Sequence, residues 1–147
     1  HTEFTKVLGL DGKAKMSKSL DNHIEISAEP EEIWQRVRMM VTDPARRYRR
    51  DPGHPEVCNV FSLHGFFSAD EVQQIEVDCR SATIGCVDCK KRFAQNLSDY
   101  FAPFRERRAR FSADPNYVWD VLADGAERAG SIADEVLGEV KAAVGLP

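Results

Sequence analysis

No run of apolar residues in this chain approaches the ~20 needed to span a bilayer, and no basic-then-apolar leader opens it. A cytosolic protein is therefore the expectation. Strand-type alternation of apolar and polar residues is also missing, as is any internal repeat, which leaves an all-α chain. Cysteine is scarce, with four in 147 residues and none left over from an even set. Met does not open the chain, which reads as a fragment or processed protein, and His1 and Thr2 are candidates for vector remnants. What is present suffices for a core: with 42% hydrophobic and 30% charged residues, the chain suits one domain, or one domain plus a piece of another.

The net charge of −4 hides a strong asymmetry. Between Lys90 and Arg110 there are seven basic residues against two acidic ones, whereas from Phe111 to Pro147 seven acidic residues stand against two basic ones. A second basic knot is Arg46-Arg47-Tyr48-Arg49-Arg50. Basic patches with interleaved aromatics suit a nucleic-acid backbone. A solvated helix face explains either patch alone equally well.

Periodicity and punctuation place five helices. Pro30, followed by Glu31 and Glu32, is a helix start, and Ile33, Trp34, Val37, Met40 and Val41 recur at helical spacing until Thr42-Asp43-Pro44 ends the run. After the break at Asp51–Pro55, the spacing predicts a helix over 56–67. Ser68-Ala69-Asp70-Glu71 has the form of a capping box opening a third helix. A long fourth runs from about Cys86 to about Phe111, with Pro103 expected to kink or divide it, and Asp114-Pro115 starts a last helix interrupted by Gly125, Gly130 and Gly138. The expected architecture is a small all-α helical bundle carrying an N-terminal loop arm.

In that arm, Lys15-Met16-Ser17-Lys18-Ser19 follows Gly9-Leu10-Asp11-Gly12. Two ammonium groups on flexible stems, hydroxyl donors and accessible backbone N–H groups are the chemistry that grips a polyphosphate. Lys/Ser-rich pentamers also occur in ordinary flexible loops.

The cysteines stand at Cys58, Cys79, Cys86 and Cys89, a C-x20-C-x6-C-x2-C arrangement. In a cytosolic protein, four thiols ending in C-x2-C point to a metal or an iron–sulfur cluster rather than to disulfides. All-thiolate ligation fits tetrahedral zinc or a [4Fe–4S] cluster. The single short C-x2-C knuckle favours the cluster, because zinc sites usually pair two. A redox-active Cys86/Cys89 pair, or four thiols buried as small hydrophobes, are the simpler readings.

The Gly9-Leu10-Asp11-Gly12 run leading into the pentamer, then Asn22 and Ile24, together with Val41-Thr42-Asp43-Pro44-Ala45-Arg46, Pro55-Glu56-Val57-Cys58, Leu63-His64 and Ile84-Gly85-Cys86-Val87-Asp88-Cys89-Lys90-Lys91, resembles the C-terminal part of the bacterial tryptophanyl-tRNA synthetases of class I. The resemblance implies ATP-dependent charging of tRNA(Trp) with tryptophan. Residues 1–27 would close the catalytic domain and carry the ATP-binding loop Lys15, Met16, Ser17, Lys18 and Ser19, with Lys18 the catalytic cation. Residues 28–147 would form a helical domain meeting the tRNA anticodon arm, with Lys90, Lys91 and Arg92 the first candidates for backbone contact and Arg46 and Arg47 the second. A subset of the family carries a [4Fe–4S] cluster, which the resemblance places on Cys58, Cys79, Cys86 and Cys89, zinc being the alternative. The family's other motif, of His-x-Gly-His type, is not in these 147 residues, and the tryptophan pocket lies upstream in the family, so the chain alone is expected to be inactive. The full enzyme would be a homodimer without membrane contact. The alternative is a stand-alone iron–sulfur or zinc module that binds nucleic acid.

Overall fold

The computed structural model describes residues 6–147, so the expectation for His1 and Thr2 lies outside the described residues. Among these, every regular element is helical: α1 (Pro30–Arg38), α2 (Asn59–Phe67), α3 (Val72–Arg80), α4 (Cys86–Ala113) and α5 (Pro115–Val144). Single 3-10 turns occupy Lys18–Leu20 and Pro55–Val57, and one isolated antiparallel bridge joins Leu8 to Lys15. The all-α expectation holds. No helix of the described residues is long and apolar enough to cross a membrane. The chain divides into two compact units, His1–Arg105 and Glu106–Pro147.

In the first unit, α1 opens with Pro30 at its first position and a Glu29/Glu32 capping box in which the Glu29 N–H donates to Glu32 Oε2 at 2.9 Å. Its periodic face buries Ile33 and Val37. The helix stops at Arg38, ahead of the Thr-Asp-Pro signal, because the Val41 N–H turns to the Leu10 carbonyl at 3.0 Å instead of continuing the ladder. Met40 stays buried, outside the helix. The second helix also begins later than the spacing predicts: Pro55–Val57 closes its own 3-10 turn, Cys58 is extended (φ −93, ψ 115), and α2 starts at Asn59.

The expected capping box at Ser68–Glu71 does not form. Ser68 Oγ faces His64 and Asn96, Glu71 pairs with Arg92 at 2.7 Å, and α3 starts at Val72 without a side-chain cap. Partners far along the chain outcompete the local bond. Nor does Pro103 divide α4, which runs unbroken through it; the residue is exposed, so the carbonyl its ring leaves unbonded is open to water. One apolar cluster holds this unit together, with Ile33 and Val37 of α1, Val60 and Leu63 of α2, and Phe93 and Leu97 of α4. Each such side chain contributes about 1.5–3 kcal/mol when fully buried. Leu10 from the loop arm joins the same cluster, so the arm is packed rather than appended.

In the second unit Asp114 caps α5 by accepting the Tyr117 N–H at 3.2 Å, and Gly145, at φ +73, supplies the left-handed residue that ends it. Gly125, Gly130 and Gly138 do not interrupt the helix as expected. Phe111 and Tyr117 stack with ring centroids 5.9 Å apart. No side chain of α5 is buried.

Candidate functional site

The pentamer Lys15–Ser19 is a built loop, and Asn22 builds it. The Asn22 side chain is buried, at 6% exposure. Its Oδ1 accepts the Ser17 N–H at 2.8 Å, its Nδ2 donates to the Lys15 carbonyl at 3.3 Å, and its own carbonyl accepts the Leu10 N–H at 2.8 Å. Gly9 lies so close that a Cβ there would meet the Asn22 carbonyl oxygen at 2.7 Å and collide with its side chain, so only glycine fits. A second amide, Asn59 at the start of α2, donates to the Gly9 carbonyl at 2.8 Å and ties the arm to the bundle.

With the backbone held, the ionic side chains are left free. Lys15 is exposed, and the Lys18 side chain is 78% exposed, resting on Glu25 at 3.1 Å. Hydrogen bonds from Lys18 and then His23 hold the Glu25 carboxyl below its ordinary value. An ion pair this exposed is weak, so the Lys18 ammonium is available to another anion. Ser17 Oγ and Ser19 Oγ lie 2.8 Å apart. Behind the loop, Arg36 donates to the Asp21 carboxylate and carbonyl and pins the left-handed turn that follows the 3-10 segment.

The four cysteines come from three places: Cys58 ahead of α2, Cys79 near the end of α3, and Cys86 and Cys89 in the first turn of α4. All four are free thiols, and each lies within electrostatic reach of the other three. Burial, and then the neighbouring sulfurs, push the Cys89 thiol up to about 12. Burial also raises Cys58, against backbone N–H groups of Phe61, Val60 and Asp43 that favour its thiolate. Gly53 lets the chain approach the Cys79 sulfur closely, its N–H donating to the Cys79 carbonyl at 2.9 Å. The Arg46 Nη1 reaches Cys79 Sγ at 3.9 Å.

The expected ligand shell is not closed, however. Among the described residues no three His, Cys, Asp or Glu side chains are grouped to hold a metal ion. That finding supports neither zinc nor an iron–sulfur cluster. The donor chemistry, four thiols around one locus with amide and guanidinium donors beside them, is compatible with a larger polynuclear centre, whose own atoms separate its ligands.

The basic residues sort into two groups that the sequence does not distinguish. Arg46 is structural, its Nη2 donating at 2.8 Å to the carbonyls of both Arg49 and Ile84. Arg92 is bound to Glu71, and Lys90 donates to the Arg38 carbonyl at 2.9 Å, with burial lowering its pKa. Lys91 and Arg47, by contrast, are exposed with no side-chain partner among the described residues. Tyr48 is 64% exposed beside Arg50, and an open cleft of about 250 Å³ runs between Arg46–Arg49 and the Gly85–Asp88 turn.

Asn59 and Glu25 carry no motif of their own, and the part that Asn22 plays in shaping the loop, like theirs, emerges only from contacts. Asp43, inside the Thr-Asp-Pro segment, is likewise set by its contacts: burial pushes its carboxyl up, but the His54 side chain and the backbone N–H groups of Ala45 and His54 outweigh that and hold it below the usual carboxylate range.

Residues 4–102 match the family model described as tRNA synthetases class I (W and Y). The chain is 43% identical over 144 residues to a tryptophan–tRNA ligase of Deinococcus radiodurans, covering 97% of the chain and 44% of that relative. It is 41% identical over 148 residues to that of Aquifex aeolicus, covering 99% and 37%. The chain thus spans less than half the length of these relatives. Among solved structures, the tryptophanyl-tRNA synthetase of Campylobacter jejuni complexed with ADP and tryptophan superimposes with a TM-score of 0.88 at 27% identity, over 99% of this chain and 45% of that one.

If Asn22 organises the loop, Asn22→Ala is expected to speed hydrogen exchange of the Ser17 amide and to cost about 1–3 kcal/mol of stability, the range for a broken buried hydrogen bond. Unchanged Ser17 protection would show that the loop is held by other means.

Proposed function

We propose, on the premise that the chain belongs to the class I tRNA synthetases of the W and Y family, that it supplies the polyphosphate loop and tRNA-binding helices of a tryptophan–tRNA ligase. The supporting observation is the loop itself: two exposed ammonium groups on a backbone immobilised by a buried amide. In the reaction, a tryptophan carboxylate oxygen attacks the α-phosphorus of ATP and pyrophosphate leaves; a ribose hydroxyl at the 3′ end of tRNA(Trp) then attacks the carbonyl carbon of the adenylate, and AMP leaves. Charge accumulates on the departing pyrophosphate, and catalysis of such a displacement is mostly positioning and electrostatics. Lys18 exchanges Glu25 for that charge. Lys15 and Ser17 assist, Ser19 shares the loop's hydroxyl pair, and the Met16 backbone lies along the adenine.

Residues 1–27 then belong to the catalytic domain and 28–147 to the helical domain that meets the anticodon arm. The enzyme acts in the cytoplasm, as a homodimer whose tryptophan pocket lies outside these residues. For the RNA backbone we favour Lys91 and Arg47, whose charges are uncommitted, over Lys90, Arg92 and Arg46. Cys58, Cys79, Cys86 and Cys89 are assigned as ligands of a [4Fe–4S] centre, a structural group that ties three helix ends together when bound.

Four outcomes are expected. The 147 residues alone should show no tryptophan-dependent pyrophosphate exchange. Fused to the complementary part of the Deinococcus radiodurans relative they should restore it, and Lys18→Ala should lower the restored rate by orders of magnitude without shifting thermal unfolding; indifference to Lys18 would overturn the loop assignment. Charge reversal at Lys91 together with Arg47 should weaken tRNA binding and flatten its salt dependence by about one to two units of slope, whereas reversal of Arg92 should chiefly destabilise the fold. Protein purified without oxygen should be brown, with iron and sulfide in equal amounts, and stoichiometric zinc in a colourless preparation would rule the cluster out.

A further inference from the structure

Beside Cys89 lies a buried polar chain that none of the roles above explains. His64 in α2 is fully buried, in edge-to-face contact with Phe93 at a centroid distance of 5.2 Å. Its Nδ1 lies 2.8 Å from Ser68 Oγ and its Nε2 3.5 Å from Cys89 Sγ. Ser68 Oγ also receives Asn96 Nδ2 at 2.9 Å, and the same Asn96 nitrogen reaches Glu71 Oε2 at 3.1 Å, where Arg92 Nε donates at 2.7 Å. A continuous series of hydrogen bonds thus connects a half-exposed carboxylate to a half-buried sulfur.

The direction of that series can be deduced. An ionised carboxylate only accepts, so Glu71, held below the ordinary carboxylate range by Arg92 and Asn96, forces the Asn96 amide to present its NH₂ group. One Asn96 N–H goes to Glu71 and the other to Ser68. The Ser68 hydroxyl is then an acceptor on that side, and its own hydrogen has one acceptor within reach among the described residues, His64 Nδ1. A neutral imidazole that accepts at Nδ1 carries its proton at Nε2. A ring that accepts at Nδ1 holds a single proton and is neutral, as the full burial of His64 without a paired anion also requires. Reversing the series would leave the Ser68 hydroxyl hydrogen buried without an acceptor, a cost of about 1–3 kcal/mol.

We propose that Glu71, Asn96 and Ser68 hold His64 as its Nε2–H tautomer, so that His64 donates a hydrogen bond to the Cys89 sulfur and is a positioning residue for that ligand. Its role toward a bound centre rests on the cluster reading above; the tautomer does not. A thiolate ligand needs donors, and an N–H aimed at the sulfur before metal arrives both orients it and lowers its electron density, which raises the reduction potential of an iron–sulfur centre. The tautomer is set from a distance, by a carboxylate that touches neither the ring nor the sulfur.

Nitrogen-15 NMR of the metal-free full chain, labelled at histidine and assigned with His64→Phe, is expected to show protonated Nε2 and bare Nδ1; an Nδ1–H tautomer overturns the proposal. Ser68→Ala should release the lock and give a mixture of the two tautomers, and a single unchanged tautomer there would show that the series does not set it. After anaerobic reconstitution with iron and sulfide, His64→Phe should lower the reduction potential, and His64→Gln, which keeps an N–H near the Nε2 position, should stay closer to the parent. Equal potentials in all three would refute the positioning role. If the chain takes up no iron, the cluster reading has failed and the NMR arm still decides the tautomer.

Discussion

The buried polar edge of α2 is the constraint on which the first unit depends. A nine-residue helix packed among apolar neighbours must still satisfy Asn59 and His64, and Ser68 just past its end, all three almost fully buried. Each can be satisfied only by a segment brought to it. Asn59 takes the Gly9 carbonyl and so fixes the loop arm. His64 takes Ser68 and Cys89, and so fixes the start of α4 against the end of α2. The apolar cluster supplies most of the stabilisation, but it would tolerate small slides between helices. The polar bonds are what set the register.

The same logic separates charges that act from charges that hold. Arg46, Lys90 and Arg92 all look like surface cations in the sequence, yet each spends its donors on the protein itself: Arg46 on two carbonyls and a sulfur, Lys90 on the end of α1, Arg92 on Glu71. Lys15, Lys18, Arg47 and Lys91 remain solvated and able to exchange partners. A loop that grips a polyphosphate needs this division of labour, with a rigid backbone so that little entropy is lost on binding and mobile ammonium groups so that they can follow the leaving charge.

Local signals decide the structure where they act alone. Asp114 caps α5, Pro30 opens α1, and the all-α architecture follows from helical spacing without strand alternation. They misled where a distant partner competed. Ser68 and Glu71 have the residue types of a capping box but are claimed by His64, Asn96 and Arg92, and α1 ends early because Val41 bonds to Leu10. Gly125, Gly130 and Gly138 failed as breakers, since one glycine costs a helix only about 1 kcal/mol and a 30-residue helix absorbs that.

By itself, then, the amino-acid order determined the helical class, the two ammonium groups and two hydroxyls of Lys15–Ser19, the four thiols and the family, because these depend on residue type and spacing along the chain. Tertiary structure alone decided that Asn22 rather than any residue of the pentamer shapes the loop, which cations are free, and that the four sulfurs share a locus without closing a shell for a single ion. Those outcomes are set by which donor meets which acceptor, a choice made between segments up to 52 residues apart and therefore absent from any local pattern.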